Sequence, residues 1–179
     1  FFFAGAASAH TYGADGAGLT EGLVHPFIGI DHLLAMLAVG IWAAQLGGRA
    51  LWQVPLACVA VMAGSAWLAR LGLGLSLVEM MIAGSVLALG LLIAGSIRVC
   101  GMAGVMAVSL FALFHGYAHG LELPRAGSPL AYATGFVLAT VCLHLLGIAL
   151  GLSLNRMRVL SRVGGAAIAL TGVYLLASL

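Results

Sequence analysis

The chain reads as an all-α, polytopic membrane protein with six transmembrane helices. Three observations predict this. Hydrophobic residues make up 63% of the 179 and charged ones only 7%, against about 25% charged in a soluble domain. Apolar runs of about 20 residues, the length that crosses a bilayer as a helix, recur along the whole chain, and the mean hydropathy is +1.18. The 26 glycines fall inside those runs, which suits close helix packing in lipid better than flexible linkers. A transmembrane barrel would alternate polar and apolar residues with period two, and these runs do not.

The six helices are predicted at residues 24–46, 52–70, 75–97, 100–122, 129–154 and 160–178. The first opens near Pro26, which either starts the helix or kinks a longer one that begins near Gly18. It stops at Gly47-Gly48-Arg49. The second stops at Leu71-Gly72-Leu73-Gly74, and the third at Arg98-Val99. The fourth is followed by Arg125-Ala126-Gly127-Ser128. The fifth carries Gly147-x-x-x-Gly151, a spacing that lets helix backbones approach, and stops at Asn155 to Arg158. The sixth fills the remainder. No linker or shift of composition divides residues 10–179, which read as one transmembrane domain.

Residues 1–9 read as a signal-peptide remnant. Phe1-Phe2-Phe3 resembles the end of an apolar region, and Ala7-Ser8-Ala9 supplies an A-x-A cleavage site. Cleavage there exposes His10, whose free amine beside an imidazole is a candidate loose metal chelator. The plain alternative is a tail of no function.

Arginine placement orients the helices. With the N-terminus outside, Arg49, Arg98, Arg156, Arg158 and Arg162 fall in inner loops, and Arg70 and Arg125 in outer ones. Both termini are therefore expected outside, in the periplasm. Two halves of three helices that enter the membrane from opposite sides are compatible with a 3+3 inverted repeat.

Two polar clusters interrupt this apolar chain. One is His25-Pro26-Phe27-Ile28-Gly29-Ile30-Asp31-His32. The other is Phe114-His115-Gly116-Tyr117-Ala118-His119-Gly120-Leu121-Glu122. Together they hold four of the six histidines and two of the five acidic residues. Ionisable groups at membrane depth are expensive and mark ion or proton sites. With the orientation above, both clusters lie in the outer half of the membrane at matching depths.

An α-helix turns about 100° per residue. His25 and His32 are seven apart and share a face of the first helix. His115, His119 and Glu122 share a face of the fourth. Asp31 points about 100° away from His32, so it either ligates from another side or orients a histidine of the fourth helix. Gly116 and Gly120 are expected to let the first helix approach the fourth. Facing one another, the clusters offer four imidazoles and two carboxylates, whose two negative charges would balance a divalent cation. Imidazole suits nickel, zinc, copper and iron. Magnesium and calcium want oxygen shells.

Other groups are weighed against plainer readings. Met36, one turn below His32, would suit Cu(I) but reads as core packing. His144, alone in the fifth helix, reads as a packing histidine. Glu79 either snorkels to the headgroups or extends the site. Cys58, Cys100 and Cys142 are far apart in apolar runs and form neither a disulfide framework nor a metal motif. There is no lysine and no basic tail, which argues against a nucleic-acid partner.

At the two clusters the chain resembles the HupE/UreJ family of nickel and cobalt permeases. The pattern H-P-x-x-G-x-D-H-x-x-A-M matches His25 through Met36, and F-H-G-x-A-H-G-x-E matches Phe114 through Glu122. The resemblance implies metal uptake across a bacterial inner membrane, with His25, Asp31, His32, His115, His119 and Glu122 as functional residues. The expected function is an importer of Ni²⁺ or Co²⁺, with Zn²⁺ also in range, that has no resident cofactor and is not an enzyme. Its partners are the metal ion and the lipid bilayer. Two rivals remain: an intramembrane metallohydrolase with Glu122 as its base, and a metal-binding assembly factor that transports nothing.

Overall fold

A computed structural model describes residues 18–122, 128–154 and 157–179, and their regular structure is all helical. The helices are α1 (Leu19–Ile28), α2 (Ile30–Leu46), α3 (Ala50–Arg70), α4 (Val78–Ala94), α5 (Gly101–Glu122), α6 (Pro129–Leu154) and α7 (Arg158–Ala177). Four of them, α3, α5, α6 and α7, are long and apolar enough to cross a membrane, and α1 with α2 makes a fifth span if the pair is taken together. The 17 residues of α4 cover about 26 Å at 1.5 Å each, short of a hydrocarbon core of about 30 Å. The chain is a multi-pass helical membrane protein. Residues 1–9, His10, Arg125 and Arg156 lie outside the described residues.

The single first helix predicted over 24–46 is instead two helices that meet at 85°. The break falls at Gly29, in extended conformation (φ −79°, ψ 114°), three residues after Pro26 inside α1. The local cause is the Asp31 carboxylate. It folds back to accept the His32 N–H at 2.8 Å, and a Cβ on Gly29 would come within 2.9 Å of that oxygen. A carboxylate at a helix N-terminus also meets the positive end of the dipole. The predicted third helix, 75–97, is shortened by left-handed residues on either side, Leu77 (φ 62°) and Ser96 (φ 52°).

Glycines set the helix pairing. Gly116 lies against the Met62 backbone and Ser65, and Gly120 against Ala66, so α3 packs along α5. The expectation that these glycines admit the first helix is therefore corrected: they face α3, on another side of α5 from the histidines. Gly40 meets His144 and Gly147, and Gly151 meets Ile41 and Ala44. The Gly147-x-x-x-Gly151 pair thus closes an intramolecular seam in which α2 and α6 run parallel. Gly90, Gly165 and Gly172 close an antiparallel seam between α4 and α7. Trp42, Met36, Leu89, Val54 and Val108 fill the interior, while Trp52, Trp67, Leu130 and Leu170 face outward, as they should where the surrounding solvent is lipid.

The two ends of the bundle differ. Arg49, Arg98, Arg158 and Arg162 lie at the C-terminal end of α2, where Gln45, Ser161, Arg98, Arg158 and Arg162 line a cavity of about 290 Å³. The N-terminal end of α2 holds the histidines.

Candidate metal centre

His119 is the junction of the two clusters. Its Nε2 lies 2.9 Å from His32 Nδ1. Its Nδ1 lies 3.0 Å from Glu122 Oε2 and 3.1 Å from His25 Nε2. His25 Nε2 is in turn 3.1 Å from the same carboxylate oxygen. His25 closes α1 and His32 opens α2, so the corner at Gly29 brings both rings onto one imidazole of α5. A shared face on a straight helix is not what unites them.

An ionised carboxylate only accepts, and a neutral imidazole has one N–H. His119 Nδ1–H and His25 Nε2–H therefore donate to Glu122. His119 Nε2 is then a lone pair that accepts from His32 Nδ1–H, which leaves His32 Nε2 bare. That nitrogen is buried and has no partner. The same logic runs through Ser85. Its hydroxyl donates to the Ile82 carbonyl at 2.7 Å, so its oxygen, 2.9 Å from His115 Nε2, accepts from that nitrogen. His115 Nδ1 is left bare, buried and unpartnered. The two rings lie 5.8 Å apart, centre to centre. An unsatisfied buried polar atom costs roughly 1–3 kcal/mol, so two bare nitrogens in the interior call for a partner.

The ligand atoms fall into two sets that share His119. His32, His115 and His119 each offer one atom within 4.8 Å of the others, and so do His25, His119 and Glu122. The sets differ in access. The Glu122 side chain is 47% exposed and that of His25 19%, whereas His32 and His115 are each 1% exposed. The ring of Phe136 walls the cluster, 4.7 Å from His119 and 5.1 Å from His32. Phe136 and Ser85 carry no signal in the sequence, since each is a single residue inside an apolar run.

Asp31 joins neither set, and its carboxylate stays on the first turn of α2. Glu79 is exposed in the first turn of α4 and also stands apart. Met36 is buried in the core. His144 is buried, and neither of its ring nitrogens has a partner. His10 lies outside the described residues.

The family model described as HupE / UreJ protein matches residues 1–175. The chain belongs to the HupE/UreJ family. A curated relative, Protein HupE of Rhizobium leguminosarum bv. viciae, is 47% identical over 174 residues, which cover 95% of this chain and 90% of the relative. No solved structure matches. Membership in the HupE/UreJ family spans both clusters and every helix that builds the centre.

Proposed function

We propose that this HupE/UreJ protein imports a divalent transition-metal ion, Ni²⁺ first and Co²⁺ second, across a bacterial inner membrane. The observation that carries the proposal is the pair of bare, buried lone pairs on His32 Nε2 and His115 Nδ1, reached through an open set that shares His119. Nitrogen donors with one carboxylate suit these borderline ions and disfavour magnesium and calcium.

The ion exchanges waters for His25 and Glu122 at the open set, then moves to His32 and His115. His119 serves both sets through opposite ring nitrogens. It binds first through Nδ1 with its proton on Nε2 and given to His32 Nδ1, while His32 holds its own proton on Nε2 and His25 on Nδ1. It then binds through Nε2 with its proton returned to Nδ1 and His32 Nε2 bare again. One carboxylate rather than two leaves a divalent ion only half neutralised, which favours a site the ion can leave. Asp31 acts indirectly by covering the positive N-terminus of α2, which would otherwise repel the cation.

Six crossings fit the packing. Parallel α2 with α6, parallel α3 with α5, and antiparallel α4 with α7 are what six alternating spans require, with α1 and α2 as the first. Exchange of the two halves maps these three pairings onto themselves, which supports an inverted repeat. The arginine-rich end belongs inside, so the histidine end and both termini belong in the periplasm. A membrane potential contributes about 2.3 kcal/mol per charge per 100 mV, or about 4.6 for a divalent ion, enough to drive accumulation.

Purified protein in liposomes with an imposed inside-negative potential tests the proposal. Radiolabelled nickel should accumulate in step with the potential. Protein that binds nickel and never moves it would be an assembly factor instead.

A further inference from the structure

The histidine centre sits at one end of α2 and the arginine-lined cavity at the other. From His32 to Gln45 is 13 residues, or about 20 Å of helix rise. α2 and α6 run parallel in register: the Phe136 ring lies beside His32, and the His144 carbonyl beside Gly40. On α6, residues 136, 140 and 144 are spaced four apart, so Phe136, Thr140 and His144 form one stripe. Thr140 therefore lies about 6 Å and His144 about 12 Å beyond the histidine centre, and Gln45 about 8 Å beyond His144.

These groups share an unusual state. Thr140 is 0% exposed and His144 2%. The Thr140 hydroxyl and both His144 ring nitrogens have no hydrogen-bond partner. A packing histidine between helices would bond a neighbour across the seam; this one does not. Farther along, Gln45 gives its amide hydrogens to Ile93 O and Ser161 Oγ, while its Oε1 is buried without a partner at the wall of the cavity. Unpartnered polar atoms thus recur at about 0, 6 and 12 Å along the seam, and again at about 20 Å, where the Gln45 amide turns toward α4 and α7.

We infer that Thr140 and His144 form an inner cation station on the α2–α6 seam, where the transported divalent ion rests between the histidine centre and the Gln45-lined cavity. The inference rests on the importer reading. His144 shortens one barren step of about 20 Å into steps of about 12 and 8 Å. The arginines beyond Gln45 repel a cation, so an ion that reaches the cavity is discharged rather than held.

Two variants of the full chain test the station. His144→Leu should lower the initial rate of nickel uptake into liposomes by at least about tenfold, the scale of a group that acts beside a metal's ligands. Nickel affinity at the histidine centre should change by less than about threefold, because separated sites act independently. His144→Cys should gain a thiolate-to-cobalt charge-transfer absorption on Co²⁺ binding that the wild-type protein, with its own three cysteines, lacks. A purely structural histidine would give no such band. Unchanged uptake by His144→Leu, or a His144→Cys protein that binds cobalt without the band, overturns the station. Failure of the wild-type protein to move nickel at all overturns the importer reading instead, and the cobalt spectrum still decides whether His144 meets the ion.

Discussion

The two ends of the α2–α6 seam are built from opposite chemistry. At the His25 end, four imidazoles and one carboxylate crowd together, and two buried lone pairs have nothing to accept from. At the Gln45 end, three arginines surround a cavity and a single amide oxygen is left over. On the importer reading, the first arrangement takes hold of a cation and the second lets it go, so affinity at one end and like charge at the other would give transport its direction.

The contrast is broken most severely at His119, which serves both ligand sets. His119→Ala should lower nickel affinity and uptake by at least about 100-fold, the upper range for loss of a supporting residue and a floor for a shared ligand, with insertion and helix content unchanged. Normal uptake by this variant would remove the shared centre. Calorimetric titration and labelled uptake read the two quantities.

Protonation comes next. A protonated ring has no lone pair for metal, so protons compete with the ion for the same nitrogens. Uptake at clamped potential should therefore fall as the medium is acidified, and uptake that rises on acidification would count against histidine ligation.

Glu122→Gln probes the open set alone. It removes the one carboxylate that the described residues bring to the centre but keeps an oxygen in place. The dissociation constant for nickel should rise about tenfold, with selectivity for nickel over magnesium retained. The smallest effect is expected at the opposite end. Arg98→Gln should change nickel affinity by no more than about fivefold, since an exposed charge is worth at most about 1 kcal/mol. A loss as large as that of His119→Ala would mean the two ends do not divide the work as described.

Much of the architecture was legible from hydropathy. The runs that became α3, α5, α6 and α7 are apolar throughout, and in lipid a backbone has only its own helix in which to satisfy its hydrogen bonds. The face shared by His115, His119 and Glu122 followed from helical periodicity, because α5 is unbroken. The first helix was harder. Pro26 and Gly29 advertise irregular backbone, but the position of the corner depends on where the Asp31 carboxylate finds an N–H. The same bond kept Asp31 away from the histidines, which no wheel drawn on a straight helix would reveal.

Composition and spacing by themselves determined that this chain is helical, lies in a membrane, and spends its scarce ionisable groups on two histidine motifs. They did so because insertion into lipid penalises every unpaired polar group, so the exceptions stand out in a list of residues. Only the tertiary structure decided which way each group faces. Gly116 admits α3 and not α1, Ser85 holds the His115 proton, and His144 stands on the seam with both nitrogens free. Those outcomes depend on which helix lies opposite, and a single chain read residue by residue carries no measure of what will be packed against it.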